Sequence, residues 1–454
     1  MHAFPLTLVE AAPPAEPAPA PAGPPDWHRF DAGGRSYLFV TDGSQVYEVD
    51  GPAFDYLAGL WGPGEGERVL AAAGIPAPRA VDDRAPESVP LRSLSLAVAQ
   101  KCNLGCTYCY AEEGDFGSEA KAMAPEVALA AVERLFDECP PGGRVQMSFL
   151  GGEPLLARRV VRLATEKAVI LGQLRGVGVG LSITTNGTLV TPEDGDFFEH
   201  HSFAVTVSLD GVGSAHDNQR PYKSGRGTFD RILANVRPLL RRQRQMQVSA
   251  RVTVTPLNLE LRRTLDELIG AGFHSVGFSP MLASPTGRGQ MAAADLARML
   301  EQMVECGREF ETRVAAGERY PFSNLATALY EIHRGGHRPY PCGAGAGYFG
   351  VSADGELAAC HRFVGDEAAA FGTVAGGVDR DRQARWLRDR HVHSQEPCRS
   401  CWARYLCGGG CHHEVLRRGR PACDYIRGWL DYCLGAYARL LAVQPDFFGA
   451  SCPA

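Results

Sequence analysis

From about Leu91 the chain alternates short apolar runs with longer amphipathic stretches. The apolar runs are Ser93–Ala99, Val145–Leu150, Leu181–Thr185, Phe203–Leu209, Val248–Thr255 and Ser275–Pro280. They have the length and composition of strands, and stretches such as PEVALAAVERLFDEC and TFDRILANVRPLLRRQ carry helical periodicity. Six such repeats predict a parallel sheet, open or curled into a partial barrel. Ligands of such sheets gather at the carboxyl ends of the strands.

The flanks read differently. Residues 1–26 are Ala/Pro-rich and are expected to form a disordered tail. Residues 27–90 predict a small α+β module. Its strands are Tyr37–Val40 and Gln45–Val49, joined at Asp42-Gly43, with helices from about Pro52 and near Gly66–Ala73. The barrel is expected over 91–310, a linker over 311–340, and a C-terminal tail over 436–454. Residues 341–435 are rich in Cys and Gly and poor in long periodic elements, so that segment needs metal to fold.

Composition narrows the class. At 454 residues the chain exceeds one ordinary core. A net charge of −6 argues against a broad nucleic-acid-binding surface. No run reaches the ~18 apolar residues of a membrane span. The first residues lack the basic and apolar regions of a secretory signal, so a cytoplasmic location is expected. The 14 cysteines cluster instead of spreading, which in a reducing compartment favours metal ligation over disulfides.

The first cluster, KCNLGCTYCYAEEG, follows the first strand and places Cys102, Cys106 and Cys109 in C-x3-C-x2-C spacing. Three thiolates on one loop can hold three irons of a four-iron cube and leave the fourth open to a small molecule. Zinc favours C-x2-C pairs. The C-x3-C-x-Tyr-C pattern after the first strand of such a repeat resembles the radical S-adenosylmethionine (SAM) superfamily. The resemblance implies a [4Fe-4S] cluster on Cys102, Cys106 and Cys109, and reductive cleavage of SAM to a 5′-deoxyadenosyl radical. FLGGEP (Gly151, Gly152, Glu153) at the end of the second strand resembles the segment that receives the SAM amino group. ITTNGT (Thr185, Asn186, Gly187) ends the third strand. VSLDG ends the fourth, where Ser208 and Asp210 are expected at ribose hydroxyls. Arg220 and Arg251 are candidates for the SAM carboxylate.

A second field holds Cys398, Cys401, Cys407 and Cys411, with Cys342 and Cys360 upstream and Cys423 and Cys433 downstream. Structural zinc is the plainer reading of such spacing. The pattern resembles the SPASM extension of radical SAM enzymes, which carries two auxiliary iron–sulfur clusters. By that resemblance Cys342, Cys360 and Cys411 ligate the first. Cys398, Cys401, Cys407 and a downstream cysteine ligate the second. As in the six-cysteine-peptide maturases, Cys423 is expected to be that ligand, whereas Cys433 lies in an apolar helical run. Anaerobic sulfatase maturases have a further cysteine soon after the first. This chain has none between Cys342 and Cys360, so the first auxiliary cluster is expected to keep an open iron. Cys139, Cys306 and Cys452 read as ordinary thiols, and His412 and His413 as polar residues on a short helix.

The segments CHRFVGDEAAAFGTV and CWARYLCGGGCHHEVLRRGRPACDYIRGWLDYC resemble thioether-forming maturases, above all the family that matures quinohemoprotein amine dehydrogenase. That family joins Cys sulfur to an Asp or Glu side-chain carbon. The resemblance implies a ribosomally made peptide as substrate and an external flavodoxin- or ferredoxin-type electron donor. Residues 27–90, two strands then helices, resemble the peptide-recognition elements of such maturases, which implies capture of a leader peptide by strand addition; a packing subdomain is the other reading. Other readings are a formylglycine-forming sulfatase maturase, an electron carrier or scaffold, and a zinc-stabilised binding protein.

Overall fold

The computed structural model describes residues 27–49 and 84–449. The expected tail, the helices near Pro52 and at Gly66–Ala73, and Cys452 lie outside these residues. The first module is a three-stranded antiparallel sheet of β1 (Trp27–Ala32), β2 (Arg35–Val40) and β3 (Gln45–Val49), in that order. The sequence predicted only β2 and β3. The polar residues of WHRFDA mask its inward set, Trp27, Phe30 and Ala32, which are buried.

All six predicted barrel strands form. They are β4 (Ser93–Gln100), β6 (Arg144–Gly151), β7 (Gly178–Thr185), β8 (Ala204–Ser208), β9 (Gln247–Val254) and β10 (Val276–Pro280). A two-residue strand, β5 (Lys121–Ala122), pairs back on β4. Each neighbouring pair from β4 to β10 is parallel. β4 is buried almost end to end, as a parallel strand covered on both faces must be. The helix Pro125–Asp137 begins with Pro at a position where its missing N–H costs nothing, and buries Ala128, Ala131, Val132, Leu135 and Phe136.

The sheet does not stop at β4. On its other side lies β11 (Tyr348–Val351), also parallel, and then antiparallel β12 (Glu356–Ala358), β13 (Ala370–Thr373) and β14 (Gly377–Val378). The cysteine-rich region is therefore joined to the barrel by backbone hydrogen bonds.

The expected linker and tail are corrected. Helix Ala293–Ala315 crosses position 310, and Ser323–His333 is a second helix. Helix Cys423–Val443 crosses position 435. These segments are amphipathic and pack on one another. Phe322 lies edge-on to Phe278 and Trp429. Glu311 accepts from Arg439 at 2.7 and 2.9 Å.

Candidate functional site

The loop after β4 carries Cys102, Cys106 and Cys109 and is tied to the opposite side of the barrel opening. Gly105 N donates to Pro221 O at 2.9 Å and Thr107 N to Gln219 O at 3.1 Å. At its centre Tyr108 donates to Asp210 Oδ2 and accepts from Arg220 Nη1 at 2.7 Å. Arg220 lies 3.5 Å from Asp210, whose other oxygen accepts from Thr253 N at 2.8 Å. Asp210 is fully buried, and burial raises its carboxyl pKa against the pull of Arg220. Both oxygens of Asp210 brace the cysteine loop and β9.

The three half-buried thiols act on one another. Burial pushes Cys106 up to about 12, opposed by Arg220 and reinforced by Cys109 and Cys102. Leu104 N donates to Cys102 Sγ at 3.4 Å, and backbone amides of Ala111, Glu113 and Gly114 favour the Cys109 thiolate. Gly114, at φ 100°, lets this loop touch the end of β6. A Cβ there would fall 2.6 Å from Cys102 Cβ and 2.9 Å from Gly152 Cα.

Glu153 is fully buried, and its carboxylate accepts from Leu155 N at 3.0 Å, Thr185 Oγ1 at 2.8 Å and Asn186 N at 2.7 Å. It ties β6 to β7. Gly151 and Gly152 remain as approachable backbone. Asn186 Nδ2 donates to Asn103 Oδ1 at 2.9 Å and reaches Cys102 Sγ at 3.8 Å. Ser208, half-buried, pairs with Arg251 across β8 and β9. Arg251 is surrounded by protein, which lowers its pKa, yet stays solvent-accessible beside Ser279. Arg220 Nε is buried without a hydrogen-bond partner among the described residues. These two guanidinium groups offer positive charge to an anionic ligand.

The second field divides in two. Cys360, pushed up to about 12 by burial, feels Cys411 and Cys342. Cys398, pushed up to about 11 by burial, feels Cys407, Cys423 and Cys401. A cavity of about 230 Å³ opens among Cys398, Cys401, Cys407 and Cys423, with Cys411 also on its wall. Cys433 is fully buried in the apolar core, where its charged neighbours are Glu311 and Asp431 and not the other thiols. Cys306 is buried and Cys139 half-buried, both apart from these groups.

His412 and His413 are buried beside Trp386 and Phe363, and burial pushes them down to about 4 and about 3. Both are neutral imidazoles. Between the first loop and the Cys342 group lie residues that the sequence did not single out. Tyr110, next to Cys109, meets the ring of His361, next to Cys360, at 5.8 Å. Arg362 donates to Glu414 at 2.7 Å and approaches Cys411 Sγ at 3.8 Å. No local spacing signals these contacts.

Such donor sets fit iron–sulfur clusters. Thiols crowded together and partly shielded from water are costly to ionise, and metal coordination replaces their protons. Among the described residues no three His, Cys, Asp or Glu are placed to hold one metal ion. A structural zinc requires four ligands converging on one atom. A cluster spreads its thiolates over separate irons.

Residues 96–269 match the Radical SAM superfamily. The chain is 27% identical over 371 residues to a serine-type anaerobic sulfatase-maturating enzyme of Klebsiella aerogenes, covering 78% of this chain and 87% of that one. A cysteine-type anaerobic sulfatase-maturating enzyme of Clostridium novyi is 29% identical over 184 residues, 39% of this chain and 47% of that protein. The solved structure of native anSMEcpe with bound AdoMet and Kp18Cys peptide superposes with a TM-score of 0.64 at 21% identity. It covers 79% of this chain and 99% of that one, and shares the fold. Among the described residues no helix is long and apolar enough to cross a membrane.

Proposed function

We propose that this chain, a radical SAM superfamily member and a radical SAM enzyme, oxidises a serine or cysteine side chain of a protein or peptide to an aldehyde, formylglycine. The observation that carries this reading is the extent of the likeness to sulfatase-maturating enzymes. At 371 residues it runs well beyond the 96–269 core. This displaces amine dehydrogenase maturation, expected from the sequence, as the first reading.

With SAM and its iron–sulfur clusters bound, the site supplies hydrogen-atom abstraction by a 5′-deoxyadenosyl radical and an acceptor for the second electron. In this reading Cys102, Cys106 and Cys109 hold the first cluster. Gly151 and Gly152 offer backbone to the SAM amino group, Arg220 and Arg251 attract its carboxylate, and Asn186 and Ser208 line the same opening. Tyr108 and Asp210 hold the loop in place. Cys342, Cys360 and Cys411 form one auxiliary group; Cys398, Cys401, Cys407 and Cys423 form the other. An external flavodoxin- or ferredoxin-type protein supplies electrons.

A thioether between Cys and an Asp or Glu carbon is the second reading. What favours it is that Cys360 feels Cys411 and Cys342, and that no cysteine stands between Cys342 and Cys360 to add a fourth ligand there. The test uses the iron-loaded enzyme, SAM, a reductant and synthetic peptides bearing Ser, Cys, or Cys near Glu. A product that reacts with a hydrazine probe supports formylglycine. Loss of an alkylatable thiol without an aldehyde supports the thioether. Formation of 5′-deoxyadenosine with every peptide unchanged removes both.

A further inference from the structure

The N-terminal sheet packs against Trp402, Arg404 and Asp431, next to the group Cys398, Cys401, Cys407 and Cys423. Trp402, directly after Cys401, is stacked by His28 of β1, ring centroids 3.8 Å apart and 8° from parallel. Phe39 of β2 meets the same ring edge-on at 6.1 Å. His28 Nε2 also lies 2.6 Å from Asp431 Oδ1, on the helix that begins at Cys423. Arg404 lines the cavity among these four cysteines. Its guanidinium lies 2.9 Å from Asp42, in the β2–β3 turn, and 3.4 Å from the Cys401 carbonyl oxygen. The Arg404 side chain is 4% exposed and Asp42 42%.

We propose that Asp42 and Arg404 are positioning residues that set the reduction potential of the cluster held by Cys398, Cys401, Cys407 and Cys423. The N-terminal sheet is then part of that redox site as well as a neighbour of it. The inference rests on reading these four cysteines as cluster ligands. Reduction adds one negative charge to a cluster. A buried cation on the cavity wall favours that added charge, because little solvent screens it. Asp42 opposes Arg404 from the outside and holds its effect down. Removing either charge therefore moves the potential, and the two moves have opposite signs. A merely structural contact between sheet and loop predicts no such pair of signs. Arg420 and Arg427 also line the cavity and act on the thiols, Arg420 on Cys398 and Arg427 on Cys401 and Cys423, but their other partners are Gln395 and Asp424, not the N-terminal sheet.

The experiment is an anaerobic redox titration of the full, iron-loaded chain followed by electron paramagnetic resonance. Asp42→Asn, whose half-exposed position tolerates the change, is expected to make one cluster about tenfold easier to reduce, a rise of ~59 mV for one electron. Arg404→Gln is expected to shift the same cluster downward, and the double variant to return toward the starting value. The other clusters stay unmoved. Unchanged potentials in Asp42→Asn at normal iron content, or equal shifts in every cluster, overturn the proposal. Iron content of Cys398→Ala/Cys401→Ala separates the two failures. If that protein keeps all its iron, the ligand reading itself is wrong. If it loses iron while Asp42→Asn shifts nothing, only the present inference falls.

Discussion

His216 gives the cysteine loop a defined acid sensitivity. Its ring is fully buried, accepts from Asp210 N through Nδ1 at 3.1 Å, and lies 3.0 Å from Thr228 Oγ1 through Nε2. Thr228 donates its own hydroxyl hydrogen to Arg220 O at 2.7 Å, so Nε2 carries the imidazole proton and Nδ1 is bare. Burial, aided by the Arg220 charge, pushes the pKa down to about 3. The unfolded value is about 6.5. A base held neutral by folding contributes fully above the unfolded pKa. Its contribution fades as pH falls from 6.5 toward the folded value and is gone below it. Linkage sets the loss at about 2 kcal/mol by pH 5 and about 3 kcal/mol by pH 4. Protonation also removes the acceptor for Asp210 N, and Asp210 is the anchor of Tyr108 in the cysteine loop. The perturbation is His216→Asn, which keeps an acceptor but does not titrate. Denaturant unfolding of both iron-loaded proteins at pH 7.5, 6 and 5 reads the difference, so acid lability common to both cancels. The variant is expected to be about 1–2 kcal/mol less stable at pH 7.5. That gap should close by pH 5 as the parent loses its His216 contribution. A constant gap across this range would refute the reasoning.

Other outcomes follow from the cysteine groups and the first module. Replacing Cys102, Cys106 and Cys109 together by Ala should abolish 5′-deoxyadenosine formation and leave about two-thirds of the iron, measured by chromatography and iron assay. Cys423→Ala should lower iron and thermal stability together. Cys433→Ala should keep its iron and cost about 1–2 kcal/mol for a small core cavity, and the opposite iron pattern would exchange their roles. A chain beginning near Leu91 should still cleave SAM slowly yet lose affinity for a peptide substrate, with unchanged peptide binding counting against a recognition role for residues 27–90.

The sequence by itself determined what is written locally. Strand periodicity placed all six barrel strands, because a buried parallel strand shows as a short apolar run wherever it packs. Cys102, Cys106 and Cys109 were legible because three thiols on one loop are neighbours in sequence as in space. Weaker signals say less. Glu153 and Asp210 sit at strand ends as expected, but only packing shows that their carboxylates are already bonded to β7, β9 and the cysteine loop. Residues 311–340 read as a linker, yet the helix Ser323–His333 within them is held by Phe322 against β10 and by Trp429 of the last helix. Tertiary structure alone decided which distant thiols meet. Cys360 and Cys411 are joined by the fold of the extension on β11, and Cys423 and Cys433 share one helix but face a cavity and a core respectively. It alone also set His28 on Trp402 and Asp42 on Arg404. Periodicity records which face of each element is apolar. It carries no record of the partner that covers that face, because any apolar surface of similar shape lowers the free energy by a similar amount.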